Sequence, residues 1–340
     1  MTPRLSLFAV AMASAALPAL TVAALADEVN IYSHRQPELI QPLLDKFTAE
    51  TGIAVNIAFV DKGMTERLVA EGDRSPADLV LTVDIARLTE VVNAGVTQAV
   101  SSPVLDANIP AEFRDPANQW FGLTSRARIV YTSKERVAPG EVTTYEDLAD
   151  PKWKGRICMR SGTNDYNVAL TAAVLAHHDA DFTRAWLEGV KANLARKPDG
   201  GDRDQVKAIA AGECDIALGN TYYIGQMLAN PEEKDAAEQV SIIFPTFEGG
   251  GTHLNISGVA MTKSAPNREN ALKFMEWLAS DEAQRIYAET NYEFPVKPGV
   301  ERSDLVKSWG EFTPDATPLA DIAKARAAAL KIMETVDFDG

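Results

Sequence analysis

The sequence predicts an α/β protein with two lobes, and three observations lead to this fold class. Short apolar strands alternate with amphipathic helices along most of the chain, a pattern that builds a parallel sheet with helices on both faces. About 314 of the 340 residues follow an N-terminal export-like segment, a length that exceeds what one hydrophobic core comfortably organises. Two extended segments, 121–132 and 255–261, are predicted to cross between the lobes.

The first third of the chain shows the clearest alternation of strands and helices. Strands are predicted over residues 29–32, 53–60 and 77–83. The helix after the first strand has an apolar face made of Leu39, Ile40, Leu43, Leu44 and Phe47. Gly52 ends this helix, and Gly95 ends the helix that follows the third strand.

The middle and last thirds repeat this pattern. Strands are predicted over residues 156–160, 215–218 and 256–261. Helices are predicted over residues 168–176, 185–194, 205–211, 271–278 and 281–289. Ser280 is the expected N-cap of the last of these helices. We therefore assign residues 27–125 together with about 260–340 to the first lobe, and about 126–259 to the second.

Residues 1–26 have the composition of an export signal. Arg4 is followed by a long apolar run, and Ala24-Leu25-Ala26 supplies the small residues of a cleavage site just before Asp27. No second apolar span follows that could anchor the chain in a membrane. We therefore expect cleavage after Ala26 and a soluble, exported chain.

Charge and motif content argue against several function classes. The formal net charge of −15 disfavours nucleic acid or an anionic membrane surface as the main partner. The sequence contains no nucleophile elbow, no dinucleotide fingerprint and no HExxH zinc motif. We therefore predict a binding protein rather than an enzyme.

Cys158 and Cys214 are the only two cysteines of the chain. In an oxidising compartment, an isolated pair is more often a disulfide than a metal site. We expect a disulfide bond, and the alternative is two unlinked buried thiols that leave the function unchanged.

Three tyrosines are the candidate metal ligands. Tyr222 and Tyr223 are adjacent in GNTYYIG, and Tyr166 lies in SGTNDYNVA. Each tyrosine follows a predicted strand, where the loops of an α/β sheet can face one crevice. Three ionised phenols supply negative charge and hard oxygen donors, which suit Fe³⁺ better than zinc or copper. The alternative for any one tyrosine is an ordinary packing residue.

Several longer motifs, which span nearly all of the chain after residue 26, resemble one family. They are VNIYSHRQPELI, SPADLVLTVDIARL, WFGLTSRARIVYTSKERV, YEDLADPKWKGRICMRSG, NLARKPDGGDRDQVKAI, GNTYYIG, THLNISGV and NYEFPVKPGV. They resemble the periplasmic ferric-ion-binding proteins of bacterial iron-uptake ABC transporters. This resemblance implies the type II periplasmic-binding-protein fold, hinged by crossing strands, with Tyr166, Tyr222 and Tyr223 as iron ligands.

The resemblance also predicts how the site is completed. Many relatives carry a histidine ligand where this chain has Gln36 and Pro37, so a carbonate-type anion is expected to complete the iron site. Arg35 and Arg126 can each donate two parallel hydrogen bonds to such an anion, and Gln36 can donate one from its amide N–H. Protonation of the anion would then give an acid-triggered route to iron release. His34 is a further candidate ligand.

The expected partners are iron and an inner-membrane ABC permease, and the expected state is a periplasmic monomer. Two alternatives stay open. One is an exported receptor for an anion or a small organic solute that uses the same arginines without iron. The other is an exported α/β enzyme, which the lack of a paired nucleophile and base disfavours.

Overall fold

The structure is a computed structural model that describes residues 27–60 and 62–340. The predicted signal segment and its cleavage after Ala26 lie outside the described residues. None of the helices in the described part of the chain has both the length and the apolar character needed to cross a membrane.

The described residues form ten strands and thirteen α-helices. The strands are β1 Glu28–Ser33, β2 Ala54–Phe59, β3 Leu79–Thr82, β4 Thr97–Gln98, β5 Phe121–Ser133, β6 Ile157–Cys158, β7 Ile216–Asn220, β8 Val240–Ile243, β9 Leu254–Thr262 and β10 Phe294–Pro295. The helices are α1 Pro37–Thr51, α2 Met64–Glu71, α3 Ile85–Asn93, α4 Pro103–Asn108, α5 Asp165–His177, α6 Ala180–Ala192, α7 Asp202–Ala210, α8 Thr221–Ala229, α9 Lys234–Ala237, α10 Arg268–Leu278, α11 Asp281–Asn291, α12 Asp304–Lys307 and α13 Leu319–Thr335.

Local sequence signals set several of these boundaries. Gly52 ends α1 with a left-handed backbone, φ 73°, which costs glycine little because it has no Cβ. The hydroxyl of Ser280 accepts a hydrogen bond from the backbone N–H of Ala283, so the predicted N-cap of α11 is confirmed.

The main sheet has the order β2-β1-β3-β9-β5-β7-β6. Strand β1 runs parallel to β2 and β3, and β6 runs parallel to β7. In contrast, β9 is antiparallel to both β3 and β5, and β5 is antiparallel to β7. The predicted parallel sheet is therefore correct at the two ends of the sheet and wrong in the middle, where two long strands run against their neighbours.

Strand β5 connects the two halves of the sheet. Its first part, from Phe121 to Ala127, pairs with β9, and its last part, from Arg128 to Ser133, pairs with β7 and β8. All thirteen of its residues are buried. The predicted crossing segments 121–132 and 255–261 thus lie in β5 and β9, which pair with each other.

Two large hydrophobic clusters form the cores. One contains Phe47 of α1 together with residues of α10 and α11. The other contains Trp153 and Val168, and it also includes Met333 of α13, which packs on α5. This packing differs from the predicted boundary, which gave residues 260–340 to the first lobe. The C-terminal helix α13 packs mainly against α5 and also contacts α3.

Cys158 and Cys214 are joined by a disulfide bond, with their Cα atoms 5.8 Å apart. Cys158 ends β6, and Cys214 lies two residues before β7 begins. Because these strands are parallel neighbours, the bond ties the end of β6 to the segment that leads into β7.

Candidate metal and anion site

The three tyrosines lie in the first turns of two helices that follow neighbouring strands. Helix α5 begins after β6, and the side chain of Asn164 accepts a hydrogen bond from the backbone N–H of Tyr166. Helix α8 begins at Thr221, directly after β7, and carries Tyr222 and Tyr223 in its first turn. Because β6 and β7 are parallel, their carboxyl ends bring both helix starts to the same edge of the sheet. The partial positive charge of a helix N-terminus favours anions such as a phenolate.

The phenol groups converge on one cavity of about 230 Å³. The hydroxyl oxygens of Tyr166 and Tyr222 are 3.4 Å apart, and the ring centroids of Tyr222 and Tyr223 are 4.2 Å apart. Tyr222 is 4% exposed and Tyr223 is 8% exposed, whereas Tyr166 is half-buried. The structure therefore brings together three phenols that are separated by up to 57 positions in the sequence.

Guanidinium groups face the three tyrosine rings. Arg126 lies 5.7 Å from the ring centroid of Tyr222, and Arg203 lies 5.3 Å from that of Tyr223. Tyr166 is faced by two arginines, Arg128 at 5.9 Å and Arg160 at 5.5 Å. These cations create a positive surrounding that stabilises negative oxygen atoms in the cavity.

The phenols of Tyr222 and Tyr223 nevertheless hold their protons firmly when no cation is bound. Burial raises the pKa of Tyr222 well above its ordinary value, and the neighbouring Tyr166 and Tyr223 raise it further, against a lowering effect of Arg126. Burial also raises the pKa of Tyr223, with further contributions from Tyr166 and Asp202. A bound cation would therefore have to displace these protons.

The two arginines of the predicted anion site are joined by one buried carboxylate. Glu293 Oε2 accepts a hydrogen bond from Arg35 Nη2, and Glu293 Oε1 accepts one from Arg126 Nη2 at 3.1 Å. The hydroxyl of Ser257 accepts from Arg35 Nη1 at 2.8 Å and from Arg126 Nη2 at 2.5 Å. Burial alone would lower the pKa of Arg35, but the charge of Glu293 reverses this effect, so its pKa is raised.

Sequence reasoning did not find Glu293 or Ser257. The only sequence feature that could have indicated Glu293 was its charge beside the short apolar strand β10, in the motif NYEFPV. The pairing of Glu293 with Arg35 joins residues 258 positions apart, and nothing in the local sequence indicates this contact.

A second buried carboxylate organises the arginines around Tyr166. Asp202 Oδ2 accepts from Arg128 Nη1 at 2.6 Å, and its Oδ1 accepts from Arg160 Nη1 at 3.2 Å. Asp202 Oδ2 also accepts from the backbone N–H of Asn220, at the end of β7, at 2.9 Å. Arg128 lies two residues after Arg126 on β5 and so faces the same side of the sheet.

The remaining predicted site residues also line the cavity. Gln36 is the N-cap residue of α1, and its side-chain oxygen is buried without a hydrogen-bond partner among the described residues. His34 lines the same cavity and an adjoining one of about 550 Å³. Across residues 27–60 and 62–340, no group of three or more His, Cys, Asp or Glu side chains could hold a metal ion. The phenols are therefore the main oxygen donors of this cavity.

Comparison with known proteins identifies the family of this chain. The family model described as bacterial extracellular solute-binding protein matches residues 32–285. The chain belongs to this family. Among its relatives, iron uptake protein A1 of Synechocystis sp. is 47% identical over 310 residues, which cover 90% of this chain and 86% of the relative. The description of this family as solute-binding proteins agrees with the predicted class of binding protein.

Solved structures of this family give the same architecture. The crystal structure of Pasteurella haemolytica apo ferric ion-binding protein A is similar with a TM-score of 0.90 and 55% identity, covering 93% of this chain and 99% of that chain. The Trichodesmium protein IdiA (FutA), in complex with iron and citrate ligands, is similar with a TM-score of 0.86 and 42% identity, covering 92% and 99% respectively. The predicted two-lobed, type II fold is therefore confirmed.

Proposed function

We propose that this chain captures Fe³⁺ in the periplasm and delivers it to an inner-membrane ABC permease. The observation that carries the proposal is the convergence of three phenols, with two of their oxygens 3.4 Å apart, in one cavity of the described fold. The ligands would be the phenolate oxygens of Tyr166, Tyr222 and Tyr223. The relatives described as an iron uptake protein and a ferric ion-binding protein support this choice of cargo.

The charge of the donor set fits a trivalent cation. Three phenolates carry three negative charges, which neutralise Fe³⁺ in a site that is largely shielded from water. Hard oxygen donors favour Fe³⁺ over softer divalent metals. Binding would release protons, because the buried phenols of Tyr222 and Tyr223 keep their protons in the absence of a cation. Iron affinity would therefore fall as the pH falls.

A small anion would complete the coordination. Arg35, Arg126 and Gln36 line the same cavity as the tyrosines and offer N–H groups suited to an oxyanion. Carbonate follows from the sequence resemblance, whereas the Trichodesmium neighbour contains citrate with its iron. Both are carboxylate-type oxyanions, and the experiment below separates them.

The helix that carries Tyr166 is also tied to the opposite half of the molecule. Asp165 binds Arg87 of α3, with its Oδ2 2.9 Å from Arg87 Nε, and it binds Arg326 of α13 through its Oδ1 at 2.5 Å. A metal ion bound to Tyr166 would therefore also affect the position of the neighbouring Asp165, which pairs with Arg87 of α3. We propose that the lobes close on the iron and that the closed form is what the permease recognises.

Titration of the purified chain with iron tests the proposal. Fe³⁺ is added as ferric nitrilotriacetate in three buffers: one free of carbon dioxide, one with bicarbonate and one with citrate. We expect a visible phenolate-to-iron charge-transfer band that saturates at one iron per chain and that one of the anions strengthens. A chain that stays colourless in all three buffers and yet binds citrate or bicarbonate by calorimetry would instead be a receptor for the anion alone.

A further inference from the structure

The buried cluster beside the tyrosines contains charged donors that are not used by the protein. Glu293 and Ser257 occupy Arg126 Nη2 and both Nη atoms of Arg35. Arg126 Nη1, Arg126 Nε and Arg35 Nε are buried and have no hydrogen-bond partner among the described residues. Buried charged donors without partners are costly, so their presence on a cavity wall indicates a ligand that satisfies them.

We propose that Glu293 is a positioning residue for the anion that accompanies the metal. Its two carboxylate oxygens fix both guanidinium groups, and the fixed groups present their remaining N–H donors to a small oxyanion. This inference rests on the proposed function, because the anion is bound next to the iron.

The fold places Glu293 where it can do this. Glu293 immediately precedes β10, whose Phe294 pairs with Ser125 of β5, so the antiparallel register sets Glu293 beside Arg126. On the other side, Arg35 lies two residues after the end of β1, in a different part of the sheet. One carboxylate therefore joins the strand that crosses the molecule to the loop after β1.

Glu293 also connects to the helix that carries two of the phenols. The residue before it, Tyr292, has a left-handed backbone with φ 58° and ends α11. Its ring lies against Gly225 of α8, so close that a Cβ on Gly225 would come within 2.5 Å of the ring. The segment that carries Glu293 is thus packed on α8. The contact is at Gly225, two residues after Tyr223.

The charge of the cluster defines the ligand class. Two guanidinium groups and one carboxylate leave one net positive charge on this part of the cavity wall, and the atoms without a partner are all donors. Such a wall accepts a small oxyanion such as carbonate or a carboxylate, and it disfavours cations and neutral solutes. Without Glu293 the two arginines would carry an uncompensated pair of charges, and Ser257 alone would connect them.

A bicarbonate titration of matched variants tests the role of Glu293. Wild type, Glu293→Gln, Ser257→Ala and Asp84→Asn are loaded with ferric nitrilotriacetate in buffer free of carbon dioxide, and bicarbonate is then added. The measured quantity is the bicarbonate concentration that gives half of the full charge-transfer band. Asp84 is the matched control, because it is an equally buried carboxylate that caps α3 and does not line the cavity.

We expect the half-saturating bicarbonate concentration to rise about tenfold or more in Glu293→Gln, as for other residues that orient a metal-site ligand. It should rise about threefold in Ser257→Ala, which removes one shared hydrogen-bond acceptor but no charge. It should stay within about twofold of wild type in Asp84→Asn.

Each failure has a distinct meaning. An unchanged bicarbonate requirement in Glu293→Gln, or an equal rise in Asp84→Asn, overturns the inference while the iron band of wild type still supports the proposed function. If Glu293→Gln does not fold, Ser257→Ala decides, and an unchanged requirement there overturns the inference. Absence of the band in wild type at every bicarbonate concentration overturns the proposed function itself.

Discussion

The hydroxyl oxygens of Tyr166 and Tyr222 lie 3.4 Å apart, although the two residues belong to different helices. Helix α8 starts directly after β7, helix α5 follows β6 after a short loop, and the two strands are parallel neighbours. The contact is therefore a product of the sheet: parallel strands end at the same edge, and the residues that follow them meet there.

Replacing either tyrosine of the adjacent pair should remove most of the iron affinity. Tyr222→Phe and Tyr223→Phe each delete one anionic oxygen and keep the ring packing, so we expect a loss of about a hundredfold or more, because even the residues that support metal ligands cost up to that much. The iron affinity is measured by competition with a chelator, with the visible charge-transfer band as the readout. Tyr32→Phe is the control, because its hydroxyl is hydrogen-bonded to Glu71 away from the cavity; an equal loss in this variant would contradict the ligand assignment.

Iron binding should release close to three protons per ion. The pKa values of Tyr222 and Tyr223 are raised by burial, so the metal-free chain keeps these phenols protonated across the neutral range, and a ferric ion bound by three phenolates must expel about three protons. The logarithm of the apparent affinity should therefore rise by about three for each unit of pH. Affinity measured between pH 6 and 8 checks this slope, and a flat profile would rule out phenolate ligation.

A buried histidine should make the folded chain less stable in mild acid. Burial lowers the pKa of His253 to about 4, with a smaller opposing effect of Asp315. The unfolded chain takes up this proton below about pH 6.5, whereas the folded chain resists it until about pH 4, so stability falls across this window by roughly 3 kcal/mol and falls no further below it. Urea unfolding of His253→Asn at several pH values should show that part of the dependence missing. Identical pH profiles in wild type and variant would contradict this prediction.

Loss of the disulfide should destabilise the chain without removing the site. The bond between Cys158 and Cys214 closes a loop over a separation of 56 residues, and the chain-entropy model gives a stabilisation of about 4 kcal/mol for a loop of this size. The double variant with serine at both positions should unfold at a lower urea concentration and still form the iron band when folded. A variant as stable as wild type would show that the bond contributes little.

The sequence predicted most of the residues that line the cavity, but not the buried carboxylates that position its arginines. The tyrosines, Arg35 and Arg126 could be found because each follows or lies in a predicted strand, and strand ends converge in an α/β fold. Their roles as ligands and anion contacts stay predictions. Glu293 and Asp202 could not be found, because their partners are distant in the sequence and only the finished fold brings them together.

The direction of the central strands was also not predictable from local patterns. Alternation of strands and helices indicates parallel pairing, and it holds for β1, β2 and β3. Strands β5 and β9 are long segments whose partners lie far away in the chain, so their antiparallel arrangement depends on the overall topology. Helix α13 was missed because its alanine-rich sequence has little apolar periodicity, and tertiary packing on α5 defines its place.

Strand β5 limits how this molecule can be divided or recombined. A cut between Ser125 and Arg126, where the sequence predicts a domain boundary, would split a continuous strand and deprive both sheet halves of hydrogen-bond partners. The halves are therefore not interchangeable modules. A chimera that borrows the tyrosine half from a relative would need to inherit the whole strand, together with the partner strand that runs beside it.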